Sequence, residues 1–471
     1  MTDTPDLAPR TPHRPLLWPD IVYALQEMLA DDTRPVYIVG GAVRDAFLHR
    51  PLKDIDLVTT EPAIELARRI ANQFNGAFYK LDAERDVGRA ILTTDTGSIE
   101  IDVARWRSAS LLDDLLDRDF TINAMVVDLR GDLTQLIDPL HGEDDLRDKL
   151  IRQCAPHSVA NDAIRTLRAV RLAVQLGLHI EPGTLRAVRQ AAPTLCQSSP
   201  ERRRDEFIKM LALRKPAAAL RVAGSLGLIE CVLPEAMRPV TAWTQTLTII
   251  ESLDKVLGAI SYSRSDNTAA SFGLGIMVMQ LDRYRAELVN HIETVWPNER
   301  PHRALLMLAA LLHTTPEHIP QVAENLRLSN LERTRLTQII RDYHHPQAMD
   351  NPTPRDIHRF WRSSGAAGID VCLLTLANTL GTAGVELDQD AWLMVVDRVR
   401  VLLSAYYDQY ETLVEPPTLI DGNALMQRLG LRPGQIVGKL LDMIREAQAA
   451  GEVQTADDAV RCAQDYLNQG L

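Results

Sequence analysis

Hydrophobic periodicity changes once along this 471-residue chain, near Asp145, and that change limits the fold more than any other feature. Upstream, VYIVG (36–40), IDLVT (55–59), GAFYKL (76–81), RAILTT (89–94) and IEIDV (99–103) are short β-branched or aromatic runs between polar breaks, the pattern of strands. GAVRDAFLHR and PAIELARRIANQF carry helical spacing between them. Downstream, DDLRDKLIRQC, DAIRTLRAVRLAVQLG, GTLRAVRQAA and RRRDEFIKMLAL read as successive amphipathic helices separated by Gly, Pro and Ser. The expected class is α+β: a small N-terminal α/β head with about five strands, then a long all-α region.

Apolar residues at 46% and charged residues at 24% exclude disordered and fibrous classes. No run reaches the roughly 18–20 apolar residues that a membrane span needs. The opening MTDTPDLAPRTPHRP has no apolar stretch of the kind a secretion signal carries; it reads as a polar, proline-rich lead-in, and a cytoplasmic location is expected. The net charge of −12 argues against a protein that coats nucleic acid with its whole surface. Yet 14 basic and 6 acidic residues fall between Arg147 and Lys215. A confined basic stripe on an acidic chain suits local contact with a phosphate backbone, although charge alone favours the plainer reading of a solvated helical face.

The chemistry concentrates in VGGAVRDAFLHRPLKDIDLVTT (39–60). Gly40 and Gly41 follow a strand and open a helix, which leaves backbone N–H groups free for an anion; Arg44 lies one turn further. Asp54 and Asp56 enter the next strand two residues apart, so both carboxylates point to one face. Side by side they repel unless a cation lies between them, and Mg²⁺ is the usual solution. Asp-x-Asp alone is most often a surface turn; the preceding Gly-Gly turn and the apolar Ile55, Leu57 and Val58 single this one out. Asp102, with Glu100 on the same face of another strand, offers a third carboxylate. Carboxylates on two strands fit a two-metal, in-line phosphoryl transfer, with Asp54, Asp56 and Asp102 as the catalytic set and Asp54 and Asp56 as metal ligands.

These residues, in the order GGAVRD…DIDLVT, resemble the nucleotidyltransferase superfamily, in the subgroup of tRNA nucleotidyltransferases (CCA-adding enzymes) and bacterial poly(A) polymerases. RDFTINAM (118–125) resembles that subgroup's second motif, which implies that Arg118 and Asp119 contact the nucleotide and that Asn123 braces the site. LIDPLHGEDDLRDKLIR (136–152) resembles the following linker, and NDAIRTLRAVRLAVQLGLHIEPGTL (161–185) the helix that reads the incoming base. Asp162 and Arg165, three apart on an expected helix, would share a face. A carboxylate accepts and a guanidinium donates, which suits the edges of cytosine and adenine and not those of uracil or guanine. Arg168 and Arg171 continue the row towards phosphates. Two features depart from the pattern: Asn161 stands where relatives carry Glu, and only SASLLDDLLD separates Arg107 from Arg118, a shortening that resembles members adding C alone.

The resemblance divides the chain into a catalytic head (1–137), a base-recognising neck (138–215), a body (216–345) with a degenerate HD-like segment, and a tail (346–471). In that segment His313-Thr314 replaces the His-Asp pair of an HD phosphohydrolase, which undercuts a metal site there. His344 and His345 are adjacent and cannot share a helix face, so they carry no expected role. The implied activity is template-independent addition of C and A (CCA) to the 3′ end of tRNA from CTP and ATP, with Mg²⁺ and tRNA as cofactor and partner. The alternatives are CC addition only, poly(A) synthesis, and a non-catalytic RNA-binding protein; intact Asp54 and Asp56 weigh against the last.

Overall fold

The computed structural model describes residues 7–60, 62–94, 97–106, 110–234, 240–262, 272–298, 300–383 and 387–468. They fall into two compact units, Met1–Ser198 with Leu226–Leu228, and Ser199–Ser225 with Ile229–Leu471.

The first unit holds the sheet. Its strands are β1 (Val36–Val39), β2 (Asp54–Thr59), β3 (Ala77–Asp82), β4 (Val87–Thr94), β5 (Gly97–Arg105) and β6 (Val126–Asp128). They lie in the order β3-β4-β5-β2-β1-β6. All neighbours are antiparallel except β2 and β5, which run parallel with Asp54 opposite Glu100 and Asp56 opposite Asp102. A parallel pair needs a crossover, here the Ala63–Gln73 helix and the β3–β4 hairpin. That helix buries Ala63, Leu66, Ala67, Ile70 and Ala71, and a Cβ on Gly88 of β4 would lie 2.8 Å from Ala67. One sheet face is thus closed by apolar packing, and period-2 alternation delivers the acidic residues to the other.

The sheet has one strand more than the sequence pattern suggests. Val126–Asp128 is only three residues long and follows the Thr121–Asn123 turn directly, too short a run for alternation to register. The expected helix over DDLRDKLIRQC is also shorter. It spans Gly142–Arg147, and Leu150–Ile151 then pairs in parallel with His179–Ile180.

The second unit is helical. Val240–Ile260 packs on Gly368–Thr382. Trp361 and Trp392 are buried there with their indole N–H groups donated to Leu402 O at 3.1 Å and Gly273 O at 2.8 Å, as buried indoles require. The helices Gly422–Leu429, Gln435–Ala449 and Ala456–Asn468 enclose a separate core around Leu425, Leu440, Ile444 and Ala459. Among the described residues no helix is long and apolar enough to cross a membrane.

Candidate active site

Gly40 has φ +75°, a conformation that costs other residues strain. A Cβ there would lie 3.0 Å from Asp56 Oδ2 and 3.5 Å from Arg118 Nη1. The bare glycine therefore lets the turn before the Gly41–Phe47 helix close over an aspartate and an arginine. Asp54 is exposed and Asp56 half-buried on the same face of β2. Burial, then repulsion from Asp54, pushes the Asp56 carboxyl up to about 6, against the opposing pull of Arg118. The donor set is all carboxylate oxygen with an excess of negative charge that Arg118 only partly offsets, and it fits a hard divalent cation.

Asp102 differs from its two neighbours. Arg89 on β4 grips it as a fork, Nε to Oδ1 at 2.7 Å and Nη2 to Oδ2 at 2.9 Å, and also pairs with Glu100 at 2.6 Å. Its charge is thus already matched. Sequence reasoning missed Arg89 because its role comes from the β4–β5 register, in which it stands opposite Asp102; the strand run itself announces only an alternating residue.

Beneath the turn lies a hydrogen-bonded chain. Buried Arg44 holds Asp45 through Nε at 3.0 Å and Nη2 at 2.9 Å, and donates from Nη1 to Asn123 Oδ1 at 2.6 Å. Asn123 passes a hydrogen bond from Nδ2 to Asp119 Oδ1 at 3.0 Å, and Arg168 meets Asp119 Oδ2 at 3.0 Å. Burial works to raise the Asp119 pKa, but Arg168, Asn123 and the Phe120 amide outweigh it and hold the carboxyl below its ordinary range. Asp119 is a buried hub, while Arg118 leans on Asp114 at 3.2 Å with Asp56 nearby.

Asp162 and Arg165, the pair expected to read the base, are arranged differently from the expected helix face. Asp162 is extended (φ −148°, ψ 102°) and precedes the Ile164–Leu176 helix; its Oδ1 accepts from Ile164 N at 3.2 Å. Asp competes with helical hydrogen bonding by capping an amide two residues on, and here the cap ends the shared face. Arg165, in the first helical turn, donates to three carbonyls: Ser158 at 3.0 Å, Arg118 at 2.9 Å and Asp117 at 2.6 Å. It ties the helix to the RDF segment. Arg171 is further along, donating to Gln175 at 2.9 Å.

Of the ten residues between Arg107 and Arg118, 108 and 109 lie outside the described residues. The rest forms a helix, Leu111–Leu116, whose Ser110 side chain accepts from Asp113 N. Leu111 and Leu115 sit in a core with Val39, Val58, Ala124, Val126 and Ile137.

In the second unit His313 is buried, with Nδ1 2.8 Å from Ala310 O, and burial lowers its pKa, the behaviour of a neutral core histidine. A different trio went unread in the sequence: His291 Nε2 and His302 Nε2 lie 2.8 and 2.7 Å from Asp370 Oδ1. The spacing suits a metal, but Trp296 Nε1, which can only donate, points at His302 Nδ1 from 2.9 Å. That proton-free Nδ1 places the hydrogen of a neutral imidazole on Nε2, where a metal would bind. Arg335, 3.5 Å from Asp370 Oδ2, adds positive charge on the other side. The trio is a hydrogen-bonded cluster to which Arg335 adds an ion pair with Asp370.

A carboxylate-bearing sheet face on β2 and β5, beside a Gly-Gly turn and an arginine, is an arrangement suited to nucleotidyl transfer. The Poly A polymerase head domain matches residues 36–152, and the probable RNA and SrmB-binding site of polymerase A matches 177–238. The chain is 30% identical over 431 residues to the CC-adding tRNA nucleotidyltransferase of Geobacter sulfurreducens, covering 90% of each. It is 29% identical over 445 residues to the A-adding tRNA nucleotidyltransferase of Deinococcus radiodurans, covering 92% of this chain and 95% of that one. Its fold is similar to a solved CCA-adding enzyme in complex with ATP, with TM-score 0.63, 20% identity and 95% of both chains covered. The chain belongs to the tRNA nucleotidyltransferase family and is an enzyme of that class, a group that generally uses divalent metal.

Proposed function

We propose that the chain extends the 3′ end of tRNA by two cytidylates, from CTP and without a nucleic-acid template. The observation that carries this reading is the Leu111–Leu116 helix. Exchanging cytosine for the larger adenine needs an element able to absorb backbone rotation. Here that position holds a capped helix with both inner leucines buried. The CC-adding relative supports the same product.

In this reading residues 1–137 are the catalytic head, 138–215 the neck, 216–345 the body and 346–471 the tail, acting in the cytoplasm. Gly40 and Gly41 receive the triphosphate at the helix N-terminus, with Arg118 beside them. Arg44 and Asn123 set the floor of that pocket, and Asp119 fixes Arg168. Asp54 and Asp56 would hold Mg²⁺, which supplies charge stabilisation for the triphosphate and the leaving pyrophosphate when bound. Asp102, neutralised by Arg89, stands beside them and sets the shape of the acidic face. The 3′-hydroxyl oxygen forms the new bond to the α-phosphorus as the bond to pyrophosphate breaks. Asp162 and Arg165 face the base, Arg165 through the Nε–H and the second Nη2–H that its three backbone contacts leave over. Arg171 and the Arg147–Lys215 stripe meet the acceptor end.

Product sizing on a sequencing gel tests this. tRNA ending at its discriminator base, given CTP and ATP together, should stop two residues longer, and tRNA already ending in CC should take no AMP. A ladder reaching three residues would establish complete CCA addition instead, and a long adenylate tail would establish a poly(A) polymerase.

A further inference from the structure

The N-terminal lead-in is part of the head's construction. Arg10 exchanges both backbone hydrogen bonds with Leu136, at 2.9 and 2.8 Å. Further on, Leu17 N reaches Ala46 O at 3.2 Å and Trp18 Nε1 reaches Leu133 O at 3.0 Å. The segment is a strap across the edge of the head, and it lies before the matched residues 36–152.

Its contact with two buried carboxylates is specific. Asp138 and Glu143 have no exposed side-chain surface, and Arg10, 38% exposed, pairs with both: with Asp138 Oδ2 at 3.1 Å and with Glu143 Oε2. Glu143 Oε1 also accepts from His13 N at 2.6 Å. Asp138 in turn receives the amides of Gly142 and Glu143 at 2.8 and 3.0 Å. Two buried carboxylates therefore organise the start of the Gly142–Arg147 helix, and a guanidinium from the strap matches their charge. Removing it would leave buried charge without its partner, the costly half of any buried pair.

That helix has no room to shift. A Cβ on Gly142 would lie 2.3 Å from Thr121 O, so helix and turn meet backbone to backbone. Thr121 Oγ1 also donates to Asp145 Oδ2 at 2.7 Å. Thr121–Asn123 is the turn that sets Asn123 between Arg44 and Asp119. An unbroken run of contacts thus leads from Arg10 through Asp138 and Glu143 to Gly142, Thr121 and Asn123.

We propose that Arg10 is a positioning residue for the nucleotide site: from a strap outside the matched head domain, it fixes the turn that carries Asn123 by balancing Asp138 and Glu143. This rests on the reading of the Gly40–Arg118–Asn123 region as the nucleotide pocket. The test compares full-length wild type, R10A, R10K, R10A/E143Q and R118A, with KM for CTP, KM for tRNA and kcat measured well below each Tm.

R10A should raise KM for CTP by roughly tenfold, since misplacement of a positioning contact by an ångström costs up to about a hundredfold, with KM for tRNA little changed. R10K, which keeps the charge but not the fork, should fall between. R10A/E143Q, which removes one of the stranded charges, should recover towards wild type. A folded R10A with KM for CTP within about twofold of wild type overturns the proposal, as does R10K at wild-type KM where R10A fails to fold. R118A reports on the underlying reading. If R118A is impaired and R10A is normal, only the role of Arg10 fails; if R118A is normal, the pocket assignment itself fails.

Discussion

Among single residues, Asp56 carries the sharpest consequence. Its carboxyl is pushed up to about 6 by burial and by Asp54. A group with a raised folded pKa contributes stability at low pH and loses it as pH climbs through that value. For Asp56 the loss is on the order of 2–3 kcal/mol between about pH 4 and pH 6. A cation held by the ionised pair reverses it, so added Mg²⁺ should raise Tm clearly at about pH 7.5 and far less at about pH 5. The D56N variant should flatten both responses. An equal Mg²⁺ gain at both pH values in wild type would contradict the assignment. Asp54 and Asp56 were legible in the sequence because strand alternation alone fixes their shared face. Arg89 was not, since its meaning depends on which residue stands opposite. Asp162 and Arg165 show the reverse error: spacing placed them on one helix, while local capping by Asp162 moved the helix start past it.

Among elements, the Leu111–Leu116 helix separates structure from product. Leu115 is fully buried. L115A should lower stability by about 2–5 kcal/mol, the usual cost of a leucine-sized cavity, read as a drop in the denaturation midpoint. At a temperature where the variant stays folded, its product should still end at two residues, because a cavity does not supply a hinge. Extension to three residues by L115A would show that packing of this helix, rather than its presence, limits the product. The long periodic elements were readable in advance: Ile164–Leu176 stands where DAIRTLRAVRLAVQLG places a helix. Short elements were not. Val126–Asp128, the Thr121–Asn123 turn and the Leu150–Ile151 pairing are each two or three residues long, below the length over which a period can be counted. Their stability comes from partners distant in sequence, as with the Arg10–Leu136 bridge.

For the molecule as a whole, the division into a sheet-bearing unit and a helical unit follows the change of period near Asp145 only loosely. The first unit runs on through helices to Ser198, because compactness depends on which helices pack on the head and not on where strands cease. The acidic balance of the chain also gave little warning of its activity; the informative charge is local. In the helical unit, the one titratable trio among the described residues that has metal-like spacing, His291, His302 and Asp370, also meets Trp296 at His302 and Arg335 at Asp370. The most direct measurement is single-turnover transfer of labelled CMP to the 3′ end of a tRNA by wild type, D54A and D56A, with tRNA affinity and Tm measured alongside. Wild type should transfer only with divalent metal present, and both variants should lose transfer by at least about a thousandfold while still binding tRNA. Transfer by either variant at near wild-type rate would contradict the placement of the reaction on the Asp54–Asp56 face.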